Sequence, residues 1–168
     1  MTKTLLEEAL VGWRYAREGV VAELENIPEE SFGFRPVPEV RTVAELARHI
    51  AESAAVMVGE LTRPDGDLTR QSFPEHLKEH AADLDTRQDK DALLALLRGS
   101  LEAGIAKFYE AGELRMLQLI TQFNGEPATR LSWMSHGVAH EEYHRGQLCV
   151  YARQLGLVPA LTQLIHGS

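Results

Sequence analysis

The sequence predicts an all-α chain folded as a four-helix bundle. Apolar residues return at three- and four-residue steps through four long stretches, and no stretch of useful length alternates apolar with polar residues as a half-buried strand does. Start and stop signals bound those stretches: Pro28, the Thr42 cap, the run Arg63-Pro64-Asp65-Gly66, Gly112 and Gly156. In the first, Leu5, Leu6, Ala9, Leu10, Trp13, Ala16, Val20, Leu24 and Ile27 describe one long amphipathic helix ending before Pro28. The second begins at Thr42, whose hydroxyl caps while Glu45 reaches back, and Val43, Leu46, Ala47, Ile50, Ala54, Met57, Val58 and Leu61 form its buried stripe. Gln71 to Asp91 is polar and reads as a surface connection with a short helix after Pro74. A third helix, from about Asp91 to Ala111, buries Leu93, Leu94, Leu97, Leu101, Ile105 and Phe108 and closes at Gly112. Leu114 to Phe123 fits helix and extended chain equally. The fourth helix starts near Thr129 and ends around Leu155, with Gly156 as its stop and Pro159 shortly beyond.

Composition narrows the setting. A chain of 168 residues with 44% apolar and 25% charged residues is globular, and it is read as one domain over residues 1–168. A net charge of −8 argues against nucleic acid as partner, because phosphate binding draws its affinity from Lys and Arg. The single cysteine, Cys149, excludes an internal disulfide framework and Cys-rich zinc modules. Lys3, Glu7 and Glu8 interrupt the first ten residues, so they lack the apolar centre of a secretory signal, and no apolar run is long enough to span a bilayer. A cytoplasmic location without membrane attachment is expected.

The chemistry lies in the fourth helix, where His136, His140 and His144 follow at four-residue spacing. Each step of four turns a side chain by roughly 40° and advances it by roughly 6 Å, so an adjacent pair shares one face and can share one metal ion. His136 and His144 are about 12 Å apart along the axis and cannot both reach the same ion. One adjacent pair binds, and another ligand must come from elsewhere in the chain. His49, inside the second helix and flanking its apolar stripe, is the best-placed source. His76 and His80 lie among Glu75, Lys78, Glu79 and Asp83 and read as solvated surface, and His166 reads as frayed terminus. Trp133, Gln147 and Tyr151 extend the histidine row, whereas Leu131, Met134, Val138 and Cys149 fall on the opposite side.

His140-Glu141-Glu142-Tyr143-His144 also matches H-E-x-x-H, the zinc peptidase pattern. No Asp or Glu follows Glu142, and Gln147 and Val150 stand where the extended pattern needs Gly and His. Peptidase activity is therefore not expected. Candidates for a catalytic role are Glu141 as a base, Gln147 as a hydrogen-bond partner of a ligand, and His136 in the pocket. The ordinary reading of Glu141 is a solvated residue on an exposed face, and of Arg145 a pair with a carboxylate.

Two segments carry a resemblance. HEEYHRGQL followed by VYARQLGLVP resembles the C-terminal signature of the DinB superfamily, the YfiT-like metal-binding four-helix bundles. FRPVPEVRTVAELARHIAES resembles the second-helix signature of the same family, with Arg35, Pro36, Pro38, Thr42, Glu45, Leu46 and His49 in matching places. The resemblance implies a divalent ion, nickel or zinc, held by His49, His140 and His144 with open coordination positions. It also implies frequent homodimers and places His136 outside the triad. Relatives include thiol-dependent transferases and isomerases, proposed metal-dependent hydrolases and proteins of unassigned activity.

Two function classes follow. One is a metal-dependent enzyme on a small-molecule substrate, activating a low-molecular-weight thiol as an S-transferase does or water as a hydrolase does. The other is a non-catalytic, stress-related metal-binding bundle whose ion ties two helices together. A thiol substrate calls for a basic patch at the pocket mouth, with Arg35 or Arg41 as its source. Proton competition for imidazole ligands is expected near pH 6 to 7, roughly the ordinary histidine range.

Overall fold

A computed structural model describes residues 3–84 and 86–167; Met1, Thr2, Asp85 and Ser168, which the reading of one domain over 1–168 includes, lie outside the described residues. The four long helices are α1 (Leu5–Asn26), α2 (Val43–Thr62), α4 (Lys90–Ala111) and α6 (Arg130–Gln154), with short helices α3 (Phe73–His80), α5 (Glu113–Met116) and α7 (Ala160–His166) between and after them. Their ends follow the local chemistry. Thr42 and Glu45 close a capping box at the start of α2, with Glu45 N donating to Thr42 Oγ1 over 3.1 Å and Thr42 N to Glu45 Oε2 over 2.8 Å. Asp89 caps α4 and Thr129 caps α6 through their side chains. Gly112 and Gly156, at φ of 78° and 79°, take the left-handed backbone that ends α4 and follows α6.

The ambiguous stretch after Gly112 resolves into both alternatives. Glu113–Met116 is a helical turn, and Leu119–Thr121 (β1) pairs antiparallel with Pro127–Thr129 (β2) in a two-stranded hairpin. Three residues per strand leave no alternation to detect, so the hairpin escapes a periodicity reading. A short helix, Ala160–His166, likewise follows Pro159 and includes His166, read from the sequence as frayed.

In the bundle, α1 packs against α6 and α4, and α2 packs against α4 and α6. Each of α1 and α2 therefore lies between the same two neighbours, and α2 faces α6 directly. The apolar core forms two clusters, one around Val20, Leu24, Leu46, Ile50 and Leu148 and one around Trp13, Met57, Leu101, Phe108 and Met134. Between them runs a polar layer. Arg17 and Glu141, 1% and 2% exposed, form a bidentate pair: Arg17 Nε donates to Glu141 Oε2 over 2.7 Å and Nη2 to Oε1 over 2.6 Å. Trp13 Nε1 donates to the same carboxylate over 2.6 Å, and Arg17 Nη1 reaches the Leu97 carbonyl at 2.7 Å. One carboxylate of α6 thus fastens α1 at the level of His140, and the Arg17 it holds reaches on to α4. Arg130, also buried, donates to the Leu61 carbonyl over 3.0 Å and closes the end of α2 against the start of α6.

Candidate metal centre

His49 on α2 and His140 and His144 on α6 point at one another across the helix interface. His49 Nε2 lies 3.2 Å from His140 Nε2, which lies 2.9 Å from His144 Nε2. Gln147 sets one of these rings. Its Oε1 only accepts, so at 2.7 Å it receives a hydrogen bond from His144 Nδ1–H and leaves Nε2 with its lone pair toward the cluster. Burial first, then the charges of Arg41 and the neighbouring imidazoles, pushes His49 down to about 4. Burial, His144 and Arg41 push His140 down to about 4. His144 is lowered by burial, an effect opposed by its bond to Gln147.

Neutral imidazoles whose lone pairs converge repel one another unless a cation sits among them. Ligand nitrogens at about 2.0–2.1 Å from one tetrahedral ion are about 3.3 Å apart, close to the spacing here. The donor set therefore fits a divalent ion held by His49, His140 and His144.

Two cavities flank the cluster. On the His140 side, Met57, Phe73, Phe123, Trp133 and His136 border an apolar cavity of about 240 Å³. On the His49 side, Arg35, Arg41, Arg48, Gln147 and Tyr151 border a polar groove of about 840 Å³. Arg35 and Arg48 pair with Glu45 and Glu52, whereas Arg41 meets no carboxylate within salt-bridge distance among the described residues. Phe73 lines both spaces. Gly137 leaves room for the Met57 side chain of α2, whose Sδ a Cβ there would meet.

The other sequence candidates divide. His136 is exposed, meets Trp133 in a tilted ring contact at 5.0 Å and sits at the rim of the apolar cavity, outside the three-histidine cluster. Glu141 is not the solvated residue expected; its carboxylate is buried and held by Arg17 and Trp13. Arg145 finds the expected carboxylate, Glu142, at 3.2 Å. Cys149 belongs to neither donor cluster, and burial pushes its thiol up to about 11. His76 and His80 correct the surface reading. His76 is fully buried, and with Glu60 the two form a second group whose donor atoms lie within 4.8 Å of one another. His80 Nε2 is 2.5 Å and His76 Nδ1 3.1 Å from Glu60 Oε1, and Arg70 donates to that same oxygen. A guanidinium already supplies the positive charge there, so this group is an ion-pair network that pins the chain around α3, and with it Phe73, onto α2. The i,i+4 spacing of His76 and His80 was the available signal, masked by the charged residues around it.

Fold and cluster together define a four-helix bundle with three converging histidines between its second and fourth long helices. The DinB family model matches residues 1–166, and the chain belongs to the DinB family. Among solved structures it is similar to a DinB-like protein from Bacillus subtilis, at 19% identity over 89% of this chain and 92% of that one, with a TM-score of 0.68. YfiT from Bacillus subtilis, described as a probable metal-dependent hydrolase with an unusual four-helix bundle topology, shares 13% identity over 94% and 91% of the two chains at a TM-score of 0.68. A mycothiol-dependent maleylpyruvate isomerase shares 18% identity at a TM-score of 0.65, over 88% of this chain and 63% of its own. No curated protein matches the chain. No described helix is long and apolar enough to cross a membrane.

Proposed function

We propose that this protein is a metal-dependent enzyme that joins a low-molecular-weight thiol to an electrophile, with one divalent ion, zinc or nickel, held by His49, His140 and His144. The supporting observation is the position of the three imidazoles between two chambers of unlike polarity, which suits two unlike reactants. When bound, the ion supplies positive charge that lowers the pKa of a thiol or water brought to it. The chain's own residues do the rest. Gln147 holds His144 in the tautomer that presents Nε2. Arg41, with Arg35 and Arg48 beside it, offers guanidinium groups to the anionic part of the thiol. The apolar chamber excludes water from the reacting carbon. The isomerase and YfiT show that relatives of this fold are described as thiol-dependent and as metal-dependent. We place the protein in the cytoplasm as a homodimer; Tyr15, Leu161 and Leu164 border one shallow cavity at α1 and α7, with Tyr15 and Leu164 exposed, as a self-association face requires.

The test is conjugation of glutathione to chlorodinitrobenzene by metal-loaded protein. Sulfur bonds to the ring carbon, chloride leaves and the thiol proton goes to solvent. Turnover is expected to require His140, and Arg41→Ala is expected to raise KM for glutathione by about tenfold, one charge-assisted hydrogen bond, but not for neutral mercaptoethanol. Ester hydrolysis without thiol transfer would move the reading to a hydrolase. Inactivity in both assays would favour the non-catalytic bundle.

A further inference from the structure

Resting on the reading of the three histidines as a reactive centre, we propose that the apolar cavity binds the second reactant, a small neutral aromatic molecule carrying one hydrogen-bonding group. Ser53 stands one turn beyond His49 on α2, on the same face, and lines this cavity. Its Oγ is buried and has no hydrogen-bond partner. Other hydroxyls within these helices bond back to their own backbone, Thr62 to the Val58 carbonyl at 2.8 Å and Ser135 to the Leu131 carbonyl at 3.3 Å. A buried hydroxyl left without a partner is costly, and a ligand hydroxyl or carbonyl removes that cost.

Shape and charge define the rest of the ligand. Phe123 meets Phe73 at 6.3 Å and Trp133 at 5.6 Å, both edge-on, so three aromatic rings border the cavity. Phe73 and Phe123, 40% and 39% exposed, come from α3 and the hairpin, outside the four long helices, and form its mouth. A volume of about 240 Å³ exceeds the roughly 150 Å³ that suffices for benzene, leaving room for a substituted single ring. Among the described residues that line it, none is Lys or Arg, and the Glu141 carboxylate is already held by Arg17 and Trp13. An anionic ring would enter without a counter-charge and lose its hydration. The arginines stand in the other chamber, which separates an anionic thiol from an uncharged acceptor.

Titration of the protein with phenol, toluene and benzoate, followed by NMR at the Trp133 indole N–H and the Met57 methyl, tests this without any turnover. Phenol is expected to shift both signals saturably, about fivefold more tightly than toluene, and benzoate to leave them unmoved. In Ser53→Ala the preference for phenol over toluene is expected to vanish while toluene still binds. Benzoate binding as well as phenol, or no aromatic reaching either signal, overturns the proposal. Because the readout needs neither metal nor thiol, aromatic binding without conjugation supports the cavity assignment and counts only against the transferase reading.

Discussion

His49 and His140 are neutral where ordinary imidazoles are half protonated. Both are pushed from 6.5 down to about 4, chiefly by burial, with Arg41, His140 and His144 lowering His49 further and His144 and Arg41 lowering His140 further. In the metal-free chain this favours the folded state above pH 6.5, and that contribution is lost as pH falls from 6.5 toward 4, because the unfolded state takes up protons first. For metal binding, protons compete only near the folded value. Affinity for zinc, followed by calorimetric titration, is expected to fall at lower pH than it would for ordinary histidines, since His49 and His140 take up protons only toward about 4. A midpoint near 6.5, the value expected of unperturbed histidines, contradicts this environment. The row His136, His140, His144 was legible from spacing alone, but which two members share a site was not, since spacing treats both adjacent pairs alike. Glu141 was illegible for a different reason. Its partners Arg17 and Trp13 stand 124 and 128 residues away, and no local pattern announces a bond across that distance.

At the scale of elements, α1, α2 and α4 announce themselves by apolar stripes, and their caps and stops fall close to where Pro28, Thr42 and Gly112 put them. The helix α6 is unusual, because its inward faces carry His140, His144, Glu141 and Arg145 as well as Met134 and Leu148. Tertiary partners, not amphipathicity, keep it in place. Glu141→Ala is therefore expected to cost about 3–5 kcal/mol in urea unfolding, since it leaves Arg17 buried and uncompensated. A loss below about 1 kcal/mol would show that the pair is not what fastens α6 to α1. The short elements escaped the sequence for physical reasons. In α3 one turn buries His76 through a polar contact with Glu60 of α2 instead of an apolar stripe, and the hairpin is too short for a period.

At the scale of the molecule, the packing of α2 directly against α6 converts two distant sequence segments into one centre, His49 and His140 standing 91 positions apart. The same packing opens a polar groove on one side and an apolar cavity on the other, and Phe73, delivered by α3, belongs to both. The bundle class was legible because four stripes in a short chain have few other ways to be buried. The two chambers were not, because Phe73, Phe123 and Arg41 sit on connections whose paths depend on the finished fold. The proposed function rests on one divalent ion held by His49, His140 and His144 together. Metal content of the purified protein by mass spectrometry, compared with His49→Ala, His140→Ala and His76→Ala, tests it most directly. One ion per chain is expected in the parent and in His76→Ala, and loss of that ion in both other variants. Full retention of metal in folded His49→Ala or His140→Ala would contradict it.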